Sequence, residues 1–548
     1  MTQTPPSVVT PPAVADFEKF VAAAVEDILT RQPVLASSLG DHRFDDRLDD
    51  LRPAAVDEER QVLAARLAEI DGWSDISLPV PHRVDAEVLR IRLQERLLEL
   101  DEQGEHHWNP LVANPGTALY LLLARDYAPL PDRLRSAAGR LAQIPEQLEA
   151  ARHTLREMPK VHLETAIDQF GGTLAMLGTQ LPGHLDEAPD VRSLVEPVLA
   201  AASDAVSLHI AWLREQLEHA DGDPRQGPDR FGRKLSLVLD VDTSPEQVLA
   251  DAQAELERVE AELTEVAASL GGAPRDVFDR LAAEAPTDDS VVSVARTAME
   301  EATAFVRETD LITRYDDPVE VIVMPEIHRG VAIAYCDPPG PLDPPGTTTF
   351  FAISPTPQDW PAERVVSFYR EYNVYALRNL VIHEAMPGHV LQLAHSRRAP
   401  TVTKARQAFW SGPFVEGWAV YAESEMIRHG FGGPQVHMQQ LKMRLRTAIN
   451  AVLDVRVHCD GLSRDDAMAL MTGRGHQEEG EATGKWRRAL LTSAQLSTYF
   501  VGVKQIDGVA GQLRAARPGW SDREVHDAML GHGNPPPRHL PALLSIAP

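Results

Sequence analysis

A mainly α-helical fold with one small β-sheet is the class this sequence predicts. Three observations carry it. Long stretches place apolar residues three and four positions apart, Ser, Pro and Gly punctuate their ends, and a short β-rich interval begins at Val319.

The first twelve or so residues of "MTQTPPSVVTPPAVADF" are rich in Pro and Thr, so 1–13 read as a disordered tail. From 14 to 220 the pattern is helical, as in "DFEKFVAAAVEDILTRQ", "DAEVLRIRLQERLLELDEQ" and "LRSAAGRLAQIPEQLEAARHTL". "ADGDPRQGPDRFGRK", Ala220 to Lys234, is the best linker in the chain. The stretch "TSPEQVLADAQAELERVEAELTEVAASLGG" shows the punctuation plainly. Ser244 can cap a helix, Pro245 fits its first turn and Gly271 ends it. Around 319–354, "VEVIVMPE", "GVAIAYC" and "GTTTFFAIS" are short β-branched or aromatic runs separated by Pro and Gly, which predicts a small sheet. Helices resume near 362 and continue to the end, so 235–548 form a second half, expected to make one compact body with the first. No internal repeat is present.

Composition excludes several functions. Of 548 residues, 53 are Lys or Arg and 81 are Asp or Glu, a formal charge of −28, which argues against nucleic acid and anionic membranes as partners. Two cysteines, Cys336 and Cys459, do not make a disulfide framework. The N-terminal residues lack a basic stretch followed by an apolar one, and no unbroken run of about 18 apolar residues occurs. A cytoplasmic protein without a membrane span is the expectation.

The chemistry lies in "NLVIHEAMPGHVLQ", Asn379 to Gln392. Two metal ligands on a regular helix sit well four residues apart, but Pro387 stands where the second histidine would be. His389 is six residues after His383, about 240° around an unbroken helix. Both can face one ion only if the helix bulges or ends at Pro387–Gly388. "GPFVEGWAVYAESEM" then offers Glu416 as a third ligand, and Glu423, seven residues further on the same face, as a hydrogen-bond partner for a ligand. Glu425 points to another face and reads as solvated. Trp418 and Tyr421 read as packing residues. His458, in "LDVRVHCD", is a candidate hydrogen-bond donor to the site.

"HEAMPGH" followed by "EGWAVYAE" resembles the bacterial zincin-like family filed as domain of unknown function number 885, whose pattern is HExxPGH and then EGWAxYxE. The likeness extends over most of the chain. It implies Zn2+ held by His383, His389 and Glu416, with Glu384 as the catalytic carboxylate. It also implies a gluzincin-like helical body with a deep cleft and the sheet beside the zinc-site helices, about 362–430. The family's later segment is matched by "RALLTSAQLSTYFVG", which keeps Arg488, Gln495, Tyr499 and Gly502 but has Ala489 for Tyr and Ser493 for Pro. Tyr499 then becomes a donor to an oxyanion. If the segment is one helix, Arg488 lies about 16 Å from Tyr499 along the axis, so it would hold a more distant anionic group. The expected function is zinc-dependent hydrolysis of a peptide or small amide. The alternatives are a metal-dependent amidase or lyase acting on a non-peptide metabolite, and a non-catalytic helical scaffold.

Overall fold

In the computed structural model the described residues are 11–73, 76–324, 333–344, 346–358 and 360–546. Mainly α-helical architecture with a three-stranded sheet is what the chain adopts. Residues 1–10 of the expected tail lie outside the described set. Residues 11–13 do not belong to a tail, because a helix already begins at Pro11 and runs to Arg31.

The chain divides into two units. The first comprises Met1–Pro224 with two later excursions, Pro339–Thr347 and Thr403–Ala408, and the second comprises the remainder. The division after Pro224 falls inside the linker read from the sequence, but the excursions show that the second half is not one continuous block. Charge explains both. The His42 ring binds Asp45 at 3.0 Å and Asp343 at 3.1 Å, and Arg406 donates to the fully buried Asp85 at 2.6 Å.

The first unit is built on helices Leu130–Thr154, Lys160–Ala175 and Arg192–Leu217, which pack through Leu141, Phe170, Val206 and Leu213. By length and composition one stretch, Pro189–Leu217, could cross a membrane, a feature not anticipated from the sequence because Glu196 and Asp204 interrupt it. Its inner stripe is accounted for by packing on the other two helices.

In the second unit Ser244 caps the helix Pro245–Ser269 by accepting from the Gln247 N–H at 3.2 Å, and that helix packs along the 27-residue helix Gly433–Cys459, hereafter the central helix. The sheet order is β1–β3–β2, with β1 Val319–Val323, β2 Ala334–Asp337 and β3 Thr349–Ile353. β1 runs parallel to β3 and β2 antiparallel, with Cys336 opposite Phe351. The central strand carries the buried residues Phe351, Ala352 and Ile353. The first residues of the expected strand "GVAIAYC", Gly330 to Ala332, lie outside the described set. Among the described residues β2 is the outer strand on its side of β3, and its Cys336 meets the helix that carries His383 and Glu384.

Candidate metal centre

The helix Val374–Glu384 starts at Asn373, whose side chain accepts from the N–H groups of Tyr375 and Ala376. It ends at Glu384, and a new helix, His389–Ser396, starts at His389. The Met386–Pro387 peptide is cis, and Gly388 donates to the Ile382 carbonyl at 2.9 Å. A Cβ at position 388 would lie 1.8 Å from the His383 carbonyl oxygen, so only glycine fits. Trp418 Nε1 secures the turn by donating to the Pro387 carbonyl at 3.0 Å, a role beyond packing. The interrupted helix brings the rings of His383 and His389 to 4.9 Å between centroids.

Glu416 comes from the helix Gly412–Arg428, capped by Ser411. Its Oε2 lies 3.5 Å from His383 Nε2 and 3.6 Å from His389 Nε2, and the three ligand atoms lie within 4.8 Å of one another. Tetrahedral zinc with bonds of about 2.0–2.2 Å sets ligand atoms about 3.4 Å apart. Oε2 is buried without a hydrogen-bond partner, as is Nδ1 of His389. An orphaned carboxylate oxygen facing two imidazole nitrogens is the donor set a divalent ion needs. Glu423 accepts from His383 Nδ1 at 2.8 Å and from Asn379 Nδ2 at 2.7 Å, which leaves His383 Nε2 as an acceptor. Burial pushes the His383 pKa down, but Glu416 and Glu423 outweigh it and hold it well above the ordinary range.

Glu384, next along the chain, accepts from the Cys336 N–H of β2 at 3.0 Å. Burial raises its pKa, while the adjacent His383 and His389 draw it down in part. The outer strand thus steadies the carboxylate from one side.

Tyr499 and Arg488 do not stand 16 Å apart. The helix Glu479–Leu491 stops, and a second, Ser497–Ala516, begins after a turn. The turn folds Arg488 back so that its Nη2 donates to the Tyr499 hydroxyl at 3.1 Å and to Gln495 Oε1 at 2.8 Å. The central helix holds this turn. Asp454 accepts from the N–H groups of Ala494 (3.0 Å) and Ser497 (2.9 Å). His458, one turn on, binds the carbonyls of Ala489 at 3.1 Å and Thr492 at 2.9 Å and stacks on Phe231. His458 is therefore no donor to the centre: its Nε2 is spent on backbone carbonyls, and burial lowers its pKa to about 4. The Tyr499 ring lies 6.5 Å from that of His383, and burial with the Glu416 charge raises its hydroxyl to about 12, so it stays protonated. Of the two departures from the family segment, Ala489 is fully buried and Ser493 accepts from Lys234 at 2.9 Å.

The helices bearing Glu416 and Tyr499 touch backbone to backbone. A Cβ on Gly417 would lie 2.4 Å from the Gly502 carbonyl carbon, and one on Gly502 would lie 2.2 Å from the Pro413 carbonyl oxygen. Sequence reading missed Asn379, Cys336 and Asp454, which act through backbone or a second residue.

The fold and this cluster define a helical protein with a two-histidine, one-glutamate centre beside a sheet edge. The chain belongs to the family described as "Bacterial protein of unknown function (DUF885)", whose model matches residues 33–544. It is similar in structure to a "putative lipoprotein of unknown function" from Shewanella oneidensis, with 26% identity, a TM-score of 0.80, and 96% of this chain and 99% of that one covered. The "putative lipoprotein" from Colwellia psychrerythraea shares the fold, with 18% identity, a TM-score of 0.78, and 97% and 98% covered. Those descriptions differ from the cytoplasmic location expected from the sequence. No curated protein matches the chain.

Proposed function

We propose that the protein is a zinc-dependent hydrolase that cleaves a peptide or amide bond. The observation that carries this reading is the orphaned Glu416 Oε2 lying 3.5 Å from His383 Nε2 and 3.6 Å from His389 Nε2, with all three ligand atoms within 4.8 Å of one another. Zinc held there supplies Lewis acidity toward a carbonyl and acidifies water.

The chain's own residues do the rest. Glu384, its pKa raised by burial, takes a proton from water and delivers it to the leaving nitrogen. Tyr499 donates its proton toward the oxygen of the reacting carbonyl, while Arg488 occupies that hydroxyl's acceptor side and keeps its hydrogen free. The Cys336 N–H of β2 holds the Glu384 carboxylate and marks where the strand meets the reacting groups.

The test has two parts. Elemental analysis of purified protein is expected to give one zinc per chain, and well under one after incubation with zinc would sink the reading. Mass spectrometry of peptide pools and small amides incubated with loaded protein is then expected to show peptide products; turnover of small amides alone would favour the metabolite-directed alternative.

A further inference from the structure

Two cations beside the centre, Lys485 and Arg488, have no ion-pair partner among the described residues. On the central helix, Lys442 binds Glu371 at 2.9 Å, while Arg446 binds Glu371 and lies 3.5 Å from Glu481. Tyr372 donates to the other oxygen of Glu481 at 2.8 Å. Glu481 is the residue one turn before Lys485 and adds its charge to Lys485 from a distance, but it makes its close contacts with Tyr372 and Arg446 instead. Lys485 is only 9% exposed, and among the described residues it has no hydrogen-bond or ion-pair partner. Arg488, three residues later on the same face, binds only the neutral groups of Gln495 and Tyr499 among the described residues.

Leaving a buried ammonium without an anion is costly, and a chain with a formal charge of −28 has acidic residues to spare. Arg488 touches Tyr499, whose ring lies 6.5 Å from that of His383, which sets the pair at the flank of the centre. Burial, followed by the charge of Arg488, lowers Lys485 to about 7 against the opposing charges of Glu481 and Glu416. Because Arg488 touches the Tyr499 hydroxyl, an anion held here sits within one residue of the reacting carbonyl.

We infer that Lys485 and Arg488 form a subsite for a free carboxylate adjacent to the scissile bond, which makes the substrate class peptides or acyl-amino acids with an unblocked carboxyl end. This rests on the hydrolase reading above.

Binding to the zinc-loaded full chain tests it without requiring turnover. Isothermal titration compares acetohydroxamate, which offers only a metal-binding group, with succinic acid monohydroxamate, which adds a carboxylate. The wild type is expected to bind the carboxylated probe about 10-fold or more tighter, the scale of one charge-assisted hydrogen bond. In Lys485→Met that ratio is expected to collapse toward one, with the zinc content and unfolding midpoint maintained; Lys485→Arg is expected to keep most of it. Equal affinity of the wild type for both probes overturns the subsite, as does a Lys485→Met ratio equal to the wild type's. Failure of the wild type to bind acetohydroxamate at all overturns the metal-centre reading itself, and the subsite with it.

Discussion

Two groups of three side chains in the second unit each bring a ligand atom to within 4.8 Å of one another: His383, His389 and Glu416, and Glu425, Asp522 and His526. By proximity they are equals. The second group, however, has no lone pairs to spare. Arg428 and Arg514 both bind Glu425 and Asp522, at 2.9–3.1 Å where Asp522 is concerned. His526 uses Nδ1 on the Leu311 carbonyl and Nε2 on the Tyr421 hydroxyl, each at 2.9 Å. Two guanidinium groups cancel two carboxylates, and a cation would meet positive charge. Among the described residues no guanidinium forms an ion pair with Glu416, and its Oε2 has no hydrogen-bond partner. What separates a metal centre from a structural ion-pair cluster is the unspent acceptor, not the distance.

That contrast can be broken most directly by metal content. His383→Ala, His389→Ala and Glu416→Ala are each expected to drop bound zinc well below one per chain, whereas His526→Ala keeps it. Zinc loss from His526→Ala, measured by elemental analysis after dialysis, would put the two clusters on the same footing. Next in size is Glu384→Gln, expected to retain zinc and fold while losing at least about 10²-fold in kcat. Activity within a few-fold of wild type would move the base elsewhere. Tyr499→Phe is expected to lower kcat and kcat/KM about equally, by about 10²-fold, since a bond to the oxyanion strengthens only in the transition state. Unchanged constants would leave the hydroxyl with no chemical part.

The smallest effect is on the ion-paired cluster's response to acid. Burial would raise Asp522, but hydrogen bonds from Arg514 and Arg428 outweigh it and hold its pKa at about 2, below the ordinary 3.8. A depressed folded-state pKa gives stability that is complete above pH 3.8 and lost as pH falls through about 2. Urea unfolding of Asp522→Asn at pH 5 and pH 2 is expected to show a smaller difference between the two conditions than wild type. An equal difference would mean that Asp522 contributes no linkage.

The histidine pair and Glu416 were legible because local rules reach them. Pro387–Gly388 announces a break in the helix, and the seven-residue spacing of Glu416 and Glu423 fixes their shared face. The fold class was legible for the same reason: caps such as Ser244 and strand texture such as "TFFAI" are short-range signals. The Arg488–Tyr499 contact was not, because the turn that makes it is held by Asp454 and His458 from a helix about 40 residues upstream. Glu425 read as solvated and is buried, since its partners Arg514 and His526 are remote in sequence. Its own segment carries no trace of them. The two excursions into the first unit were hidden likewise: Asp343 and Arg406 meet partners some 300 residues away.

The contact of Gly417 with Gly502 has a consequence for how this protein can change. With no side chain between the helices that carry Glu416 and Tyr499, their separation is already at its minimum, and any replacement acts as a wedge that can only widen it. The frame of the reacting centre thus offers evolution no fine adjustment. Lys485, on the neighbouring helix and without a hydrogen-bond or ion-pair partner among the described residues, can vary without moving that frame, so divergence in substrate choice among relatives is expected to concentrate there while the two glycines stay fixed. A library randomised at 417 and 502 is expected to return glycine almost exclusively, and one randomised at 485 is expected to return active variants with altered preference.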